Sequence, residues 1–369
     1  MRALPLLEEK RGALEKCVFC PKLCRSACPV SNAEPRETLT PWGKMSGAWL
    51  MAHGDVPANG SHSAPAWACT GCFACQETCE HSNPVAAVLF DARDAVTRRG
   101  AAPLEATRSL ARFDVHLERT RRAAQRVVAN RSTVRNSHIA LLVGCAYLRG
   151  AKREAADAVA AVDGLLGKPA RVVEGCCGLP LRLAGDRLAF ERHAARFAKS
   201  FDDDERILVV DPGCAVALKR LYRTEFGLDV GTRVEVFVEV VAREIERLVP
   251  NGFPPETAVR WHDPCQLGRG LGIYEAPRKV LERILRRPPE ELDDAREVSR
   301  CSGAGGLLPT TMPKLARDIA KERLAAHARA GGGRVVTACA SSLIHLRRRA
   351  NGVRVDDLAS WIAAAVDRR

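Results

Sequence analysis

The chain of 369 residues carries fifteen cysteines, and eight of them fall in two tight runs. The first run reads Cys17-Val-Phe-Cys20-Pro-Lys-Leu-Cys24-Arg-Ser-Ala-Cys28-Pro29. The second reads Cys69-Thr-Gly-Cys72-Phe-Ala-Cys75-Gln-Glu-Thr-Cys79. A cubane iron–sulfur cluster needs a thiolate at each iron corner. A short loop of the C-x2-C-x2-C type wraps three corners. The fourth cysteine is carried off by the following turn, where it can ligate a second cluster. Two such runs therefore make two [4Fe–4S] clusters with exchanged fourth ligands. Cluster A is expected to take Cys17, Cys20, Cys24 and Cys79, and cluster B Cys69, Cys72, Cys75 and Cys28. Structural zinc uses two C-x2-C pairs and would leave the third and fourth cysteines of each run without a role. Two departures bear on the exchange: three residues separate Cys20 from Cys24, and Asn83-Pro84 stands where a proline directly after Cys79 would be.

The other seven cysteines recur in two sets. One set is Cys145, then Gly175-Cys176-Cys177-Gly178, then Asp211-Pro-Gly-Cys214. The other is His262-Asp263-Pro-Cys265, then Cys301-Ser302-Gly303-Ala-Gly-Gly306, then Cys339-Ala-Ser-Ser342. Cysteines 145, 176 and 214 map to 265, 301 and 339 at offsets of 120 to 125 residues, which marks an internal duplication. Buried structural cysteine is the bland alternative, and paired cysteines flanked by glycine at a strand end argue against it.

These groups need elements to hold them. Up to about residue 135 the pattern is helix and loop, with helices expected over Gly43–His53, Pro84–Arg98 and a connector at Ala101–Asn130. Trp42 and Trp49 are expected to shield the clusters. From His138 the character changes to short apolar runs alternating with helical stretches. Strands are expected at His138–Val143, Ala170–Val173 and Arg206–Val210, and helices at Lys152–Leu166 and Leu183–Lys199. The pattern repeats with strands at Ala258–Trp261, before Cys301 at Val298, and at Arg334–Thr337. Helices are expected at Pro277–Leu285, Lys314–Ala330 and Val355–Arg369. Alternation of this kind argues for parallel sheets covered by helices. In such sheets the loops after the strands converge at one edge, where ligands bind, so Cys145, Cys176, Cys177 and Cys214 are expected to meet. The expected architecture is mixed. A helical two-cluster domain with its connector spans 1–135, and two duplicated α/β domains span 136–252 and 253–369.

Composition narrows the class. The chain is 46% hydrophobic and carries a formal net charge of +13. No run approaches the roughly 20 apolar residues that a spanning helix needs, so no transmembrane segment is expected. The N-terminus has acidic residues where the apolar core of a secretion signal would lie. A long chain with many reduced cysteines fits the cytoplasm, with a peripheral place on the inner face of the cell membrane as the other setting. The charge suits an acidic partner or an anionic surface, and a compositional bias towards Arg and Ala explains it equally well. No Walker motif and no G-x-G-x-x-G after a strand is present, so no nucleotide or flavin site is expected. The Gly303–Gly306 segment reads as a turn beside a cysteine. His81 and His345 read as surface or packing residues. His262 and Asp263 are left open between proton transfer or metal ligation and loop capping.

The two cysteine runs with Gly-Cys-Cys-Gly, His-Asp-Pro-Cys and Thr-Ala-Cys339 resemble the cysteine-rich "CCG" proteins related to heterodisulfide reductase. That family includes iron–sulfur subunits of glycolate oxidase, lactate utilisation and anaerobic glycerol-3-phosphate dehydrogenase. The resemblance runs from Cys17 to the terminal helix near Val366. It implies an electron-transfer subunit that serves a flavoprotein dehydrogenase or an electron-transfer flavoprotein, with quinone, a membrane subunit or another carrier beyond. The flavin would sit on the partner, and no nucleic acid is involved. The alternative it implies is a catalytic subunit that reduces a disulfide at a CCG-bound cluster. The family pattern is a lone Cys, then Cys-Cys-Gly, then C-x2-C. Here Asp211, Ser302 and Ser342 replace three of its cysteines. The first set keeps four thiols, enough for a third iron–sulfur cluster. The second set, Cys265, Cys301 and Cys339, keeps three, and its occupancy stays open. This erosion counts for an electron conduit and against disulfide chemistry.

Overall fold

A computed structural model describes residues 3–129, 131, 137–250 and 257–366. The boundaries expected at 135/136 and 252/253, Asn130 of the connector and Arg369 of the last helix lie outside the described residues. The chain divides into two compact units. The first is the chain through Phe113 with Pro180–Phe190 and Glu297–Ala325; the second holds Asp114–Leu179, Glu191–Arg296 and the chain from Ala326 onward.

The first unit is helical. Its central helix, Pro41–His53, starts where Thr40 accepts a hydrogen bond from the Gly43 amide and proline takes the first turn. It ends at Gly54 with φ +92°. These are strong start and stop signals. The helix packs with Arg11–Val18, Gly60–Trp67 and Val85–Thr97 around Leu7, Leu14, Met45, Met51, Trp67 and Leu89. A second apolar cluster joins Cys28, Val30, Leu39 and Ala68 to Leu308, Leu315 and Ile319. The segment 297–325 is thus part of the shell around the cysteine runs. Gly306 makes this approach feasible. It has φ +63°, and a Cβ there would collide with the Cys69 carbonyl.

The second unit holds two parallel sheets. Strands β1 (Ile139–Leu142), β2 (Arg171–Val172), β3 (Arg206–Val209) and β4 (Val234–Val236) lie in the order β2-β1-β3-β4. Strands β5 (Val259–Trp261), β6 (Arg334–Thr337) and β7 (Val355–Asp357) lie in the order β5-β6-β7. Strands β1, β3 and β6 are largely buried apolar runs, as parallel sheets demand. The second sheet repeats β1, β3 and β4 as β5, β6 and β7. Its equivalent of β2 shrinks to a single parallel bridge between Arg260 and Glu290.

Several expected elements change. Val298 is not on a strand: Arg296–Val298 is one turn of 3-10 helix, and Val298 is 65% exposed. A single apolar residue before a cysteine is too short a signal. Leu183–Lys199 is two helices, Leu179–Ala184 and Arg187–Lys199, interrupted at Gly185-Asp186. The connector is Leu104–Ala111 followed by Phe113–Val128. The last element begins as strand β7, and its helix, Leu358–Ala365, is capped by Asp357.

Candidate iron–sulfur sites

Both cysteine runs use the same local device. The residue two before the third cysteine has left-handed backbone, Lys22 with φ +68° before Cys24 and Phe73 with φ +62° before Cys75. The extra residue of the first run, Pro21, precedes this turn, so the reversal that aims the third thiol is kept. The Gly71 amide donates to Cys69 Sγ at 3.4 Å.

Cys17 lies at the end of helix Arg11–Val18, where Asn83 Nδ2 donates to its Sγ at 3.0 Å. Burial pushes the Cys17 thiol up to about 11, Asn83 opposes that shift, and Cys24, Cys20 and Cys79 are the charges that add to it. Cys24 is likewise pushed up to about 11 by burial, with Cys20, Cys28 and Cys79 as its thiol neighbours. Cys17 and Cys24 thus each lie within electrostatic reach of Cys20 and Cys79, and Cys24 also of Cys28. In the second run, Cys28, Cys69, Cys72 and Cys75 line one small cavity together with Lys44, Thr70 and Leu89. Burial raises Cys75 well above the usual thiol range, and Cys69, Cys28 and Cys72 raise it further. The donor set fits an iron–sulfur cluster: four thiols around one cavity, with buried Lys44 donating to Cys28 Sγ at 3.5 Å.

In the second unit, Cys145 follows β1 and Cys214 follows β3. Chain order reverses between these neighbouring strands, the usual place for a ligand site in a parallel sheet. Gly144, with φ +101°, lets the loop after β1 pass Asp211, whose Cβ a side chain at 144 would meet at 2.6 Å. Cys176 Sγ lies 3.6 Å from Cys145 Sγ. Two bonds of about 2.3 Å to one tetrahedral metal span about 3.8 Å, so these two thiols can reach one metal ion. Hydrogen bonding from Cys176 holds Cys145 down at about 6, with His116 adding to that effect against the cost of burial. Cys176 and Cys214 hydrogen-bond Cys177 and hold it well below the usual thiol range. His193 Nε2 donates to the Cys176 carbonyl at 2.7 Å and Tyr222 to the Cys177 carbonyl at 2.8 Å, which fixes the Cys-Cys loop.

Two groups at this site escape a reading of cysteine spacing. Asp211 caps the helix Pro212–Val216 through Oδ1, but its buried Oδ2 has no hydrogen-bond partner. Burial, then Cys145 and Cys177, push its carboxyl up to about 7. His116, on helix Phe113–Val128, has a ring nitrogen within 4.8 Å of the Cys145 and Cys176 sulfurs. Asp211 is visible in sequence as a substituted family cysteine, whereas His116 gives no signal because it comes from the connector.

The second set is not gathered in one unit. Cys301 belongs to the first unit, where the Gly303 amide donates to its Sγ at 3.3 Å. Cys265 and Cys339 belong to the second. Burial and then Asp211 push Cys339 up to about 12. Asp263 is committed to the fold: Arg278 donates to both its oxygens at 2.8 and 2.9 Å, and Trp261 Nε1 and the Arg296 amide complete its shell. His262 and His345 are buried and His81 is exposed. Trp42 donates to the Val18 carbonyl at 3.1 Å, beside the first run.

Fold and sites together define an iron–sulfur protein with a helical two-run module and a duplicated cysteine-rich α/β region. Residues 13–83 match the 4Fe-4S dicluster domain family, and residues 139–219 and 259–347 each match the cysteine-rich domain family. Both domain types are thus present in this chain, the cysteine-rich one twice. It is 25% identical over 352 residues to a fumarate reductase (CoM/CoB) subunit of Methanothermobacter marburgensis, covering 90% of this chain and 68% of that protein. It is 31% identical over 161 residues to a subunit of the dihydromethanophenazine:CoB–CoM heterodisulfide reductase of Methanosarcina mazei, covering 41% of this chain and 38% of that protein. It is 32% identical over 136 residues to EtfAB:quinone oxidoreductase of Syntrophomonas wolfei, covering 36% and 18%. Among the described residues no helix is long and apolar enough to cross a membrane.

Proposed function

We propose that this chain is the electron-transfer subunit of an oxidoreductase complex. It takes electrons from a flavoprotein dehydrogenase acting on a 2-hydroxy acid or similar donor, or from an electron-transfer flavoprotein. It relays them through two [4Fe–4S] clusters and a third iron–sulfur centre at Cys145, Cys176, Cys177 and Cys214, towards quinone or another carrier. The observation that carries the reading is the cavity where Cys28 of one run meets Cys69, Cys72 and Cys75 of the other. A relative named for electron-transfer flavoprotein and quinone supports the two ends of the relay. When bound, the clusters supply one-electron chemistry. The protein's part is to hold thiolates in place, exclude water and set the local charge. Asn83 and the Gly71 amide donate to ligand sulfurs, and apolar packing around Cys17 and Cys28 keeps solvent away. Anaerobic purification with iron counting tests this. About twelve irons per chain are expected, and fewer than about eight would remove the two-cluster core.

A second reading, disulfide reduction at the centre near Cys145, is favoured by one feature. Cys145 is half-buried and held down at about 6, as a reactive thiolate would be. Turnover of a disulfide substrate by the cluster-loaded chain with a reduced donor would establish it, and no turnover would count against it.

A further inference from the structure

Two cations are buried against the thiols of the second run. Lys44 is 2% exposed, donates from Nζ to Cys28 Sγ at 3.5 Å, and shares the cavity wall with Cys69, Cys72 and Cys75. Arg93 is 0% exposed. Its guanidinium donates to the Cys69 carbonyl at 2.8 Å and to the carbonyls of Ala66, Leu183 and Gly306. Among the described residues neither cation has a carboxylate partner. A buried charge without a counter-ion is strongly disfavoured, so the unit is built to hold something anionic at this cavity. The thiols of Cys17, Cys20, Cys24 and Cys79 have other surroundings. Cys17 takes its hydrogen bond from a neutral amide, Asn83, and the nearby cations Lys22 and Arg25 are both paired with Glu37.

Iron–sulfur potentials respond to net charge, to hydrogen bonds on sulfur and to burial. A fixed positive charge and an N–H···S bond both favour the reduced state, which carries the extra negative charge. Burial alone works the other way. The same low dielectric, however, strengthens the attraction of charges already in contact: Lys44 touches Cys28 Sγ, and Arg93 adds its charge from the Cys69 carbonyl. We propose that the cluster at Cys28, Cys69, Cys72 and Cys75 has the higher reduction potential of the two, set by Lys44 with Arg93. Electrons then run into it from the cluster at Cys17, Cys20, Cys24 and Cys79. The ordering rests on the two-cluster reading above.

The test is an EPR-monitored redox titration of the full chain, with Lys44→Met and Lys44→Arg alongside. Lys44→Met is expected to move only the higher of the two waves that belong to the first unit's clusters, and to move it downward. At the wild-type midpoint the reduced-to-oxidised ratio should fall at least tenfold, which is 59 mV for one electron. Lys44→Arg keeps the charge and should restore most of the shift. A Lys44→Met protein in which the lower wave moves, or in which neither moves with iron retained, overturns the proposal. Should Lys44→Met not hold its clusters, Asn83→Leu decides, because it removes the donor to Cys17 and should move only the lower wave. Movement of the higher wave would overturn the ordering. Wild-type protein with fewer than about eight irons fails the two-cluster reading itself and the ordering with it, whereas a single wave with about eight or more irons overturns the ordering alone.

Discussion

Tyr147 donates its hydroxyl to Asp357 Oδ2 at 2.7 Å, with both side chains buried. The bond ties the helical turn after Cys145 to the end of β7, and the other Asp357 oxygen accepts from the Ala359 amide at 2.9 Å. Burial pushes the Asp357 carboxyl up to about 7, with the Tyr147 hydrogen bond working against that shift. The unfolded chain would titrate near 3.9. Between these values the folded protein holds a proton that the unfolded chain has released, so this group's contribution to stability falls as pH rises from about 4 to about 7. Asp357→Asn removes the titration and keeps the cap through Oδ1, while its amide nitrogen donates to Tyr147 Oη where Oδ2 had accepted. In urea unfolding of the iron-free protein, the variant should gain on wild type by up to about 4 kcal/mol between pH 4.5 and 7.5. A gain that does not grow with pH would contradict the assignment.

Arg93 makes a different kind of prediction, because its hydrogen bonds hold backbone rather than charge. It satisfies four carbonyls, of Ala66, Cys69, Leu183 and Gly306. Arg93→Met would leave them buried without a donor and should cost about 3–5 kcal/mol in denaturant unfolding. Arg93→Lys should recover only part, since one ammonium cannot reach four acceptors. Arg98, half-exposed and paired with Asp94 at 3.0 Å, is the control. Its loss leaves Asp94 with the Arg187 amide at 2.9 Å and should cost less than Arg93→Met.

The thiols should separate by reactivity in the iron-free protein. Cys145 is held down at about 6, whereas burial holds Cys17 and Cys24 at about 11. At pH 7.5 Cys145 is largely thiolate and the other two are largely thiol. Iodoacetamide followed by peptide mass mapping should therefore label Cys145 first, and Cys17 and Cys24 only as pH rises above about 9. His116→Ala removes a group that holds Cys145 down and should slow its labelling at neutral pH.

The cysteine runs are legible in the sequence because a cluster loop needs ligands close together along the chain, and because each run carries its own reversal at Lys22 or Phe73. β1 and β3 are legible as buried apolar runs. β4 and β7, at three residues each, are too short to carry a period. Val298 misleads because a lone apolar residue fits a turn as well as a strand. The unit boundaries are less legible still. Leu308, Leu315 and Ile319 bury against Val30 and Leu39, and nothing local in 297–325 announces a partner so distant in sequence. His116 is invisible for the same reason, while Asp211 reads as a lost ligand although its carboxylate faces the thiols.

The site after β1 and β3 gives the most direct count. Cys214 sits one helical turn after Asp211, and Gly144 leaves it room: a Cβ at 144 would lie 3.6 Å from Cys214 Sγ and 2.6 Å from Asp211 Cβ, on backbone with φ +101°. Cys214→Ser removes a thiol proposed to hold the third centre and keeps the residue's size. It should lower iron from about twelve to about eight per chain and leave the two EPR waves of the first unit's clusters unchanged. Gly144→Ala should lose the same iron by another route, since it forces the two loops apart, and should also cost about 1–3 kcal/mol in unfolding. If Gly144→Ala loses stability but keeps about twelve irons, the thiols do not depend on this close approach. If Cys214→Ser keeps about twelve, the third centre does not use Cys214.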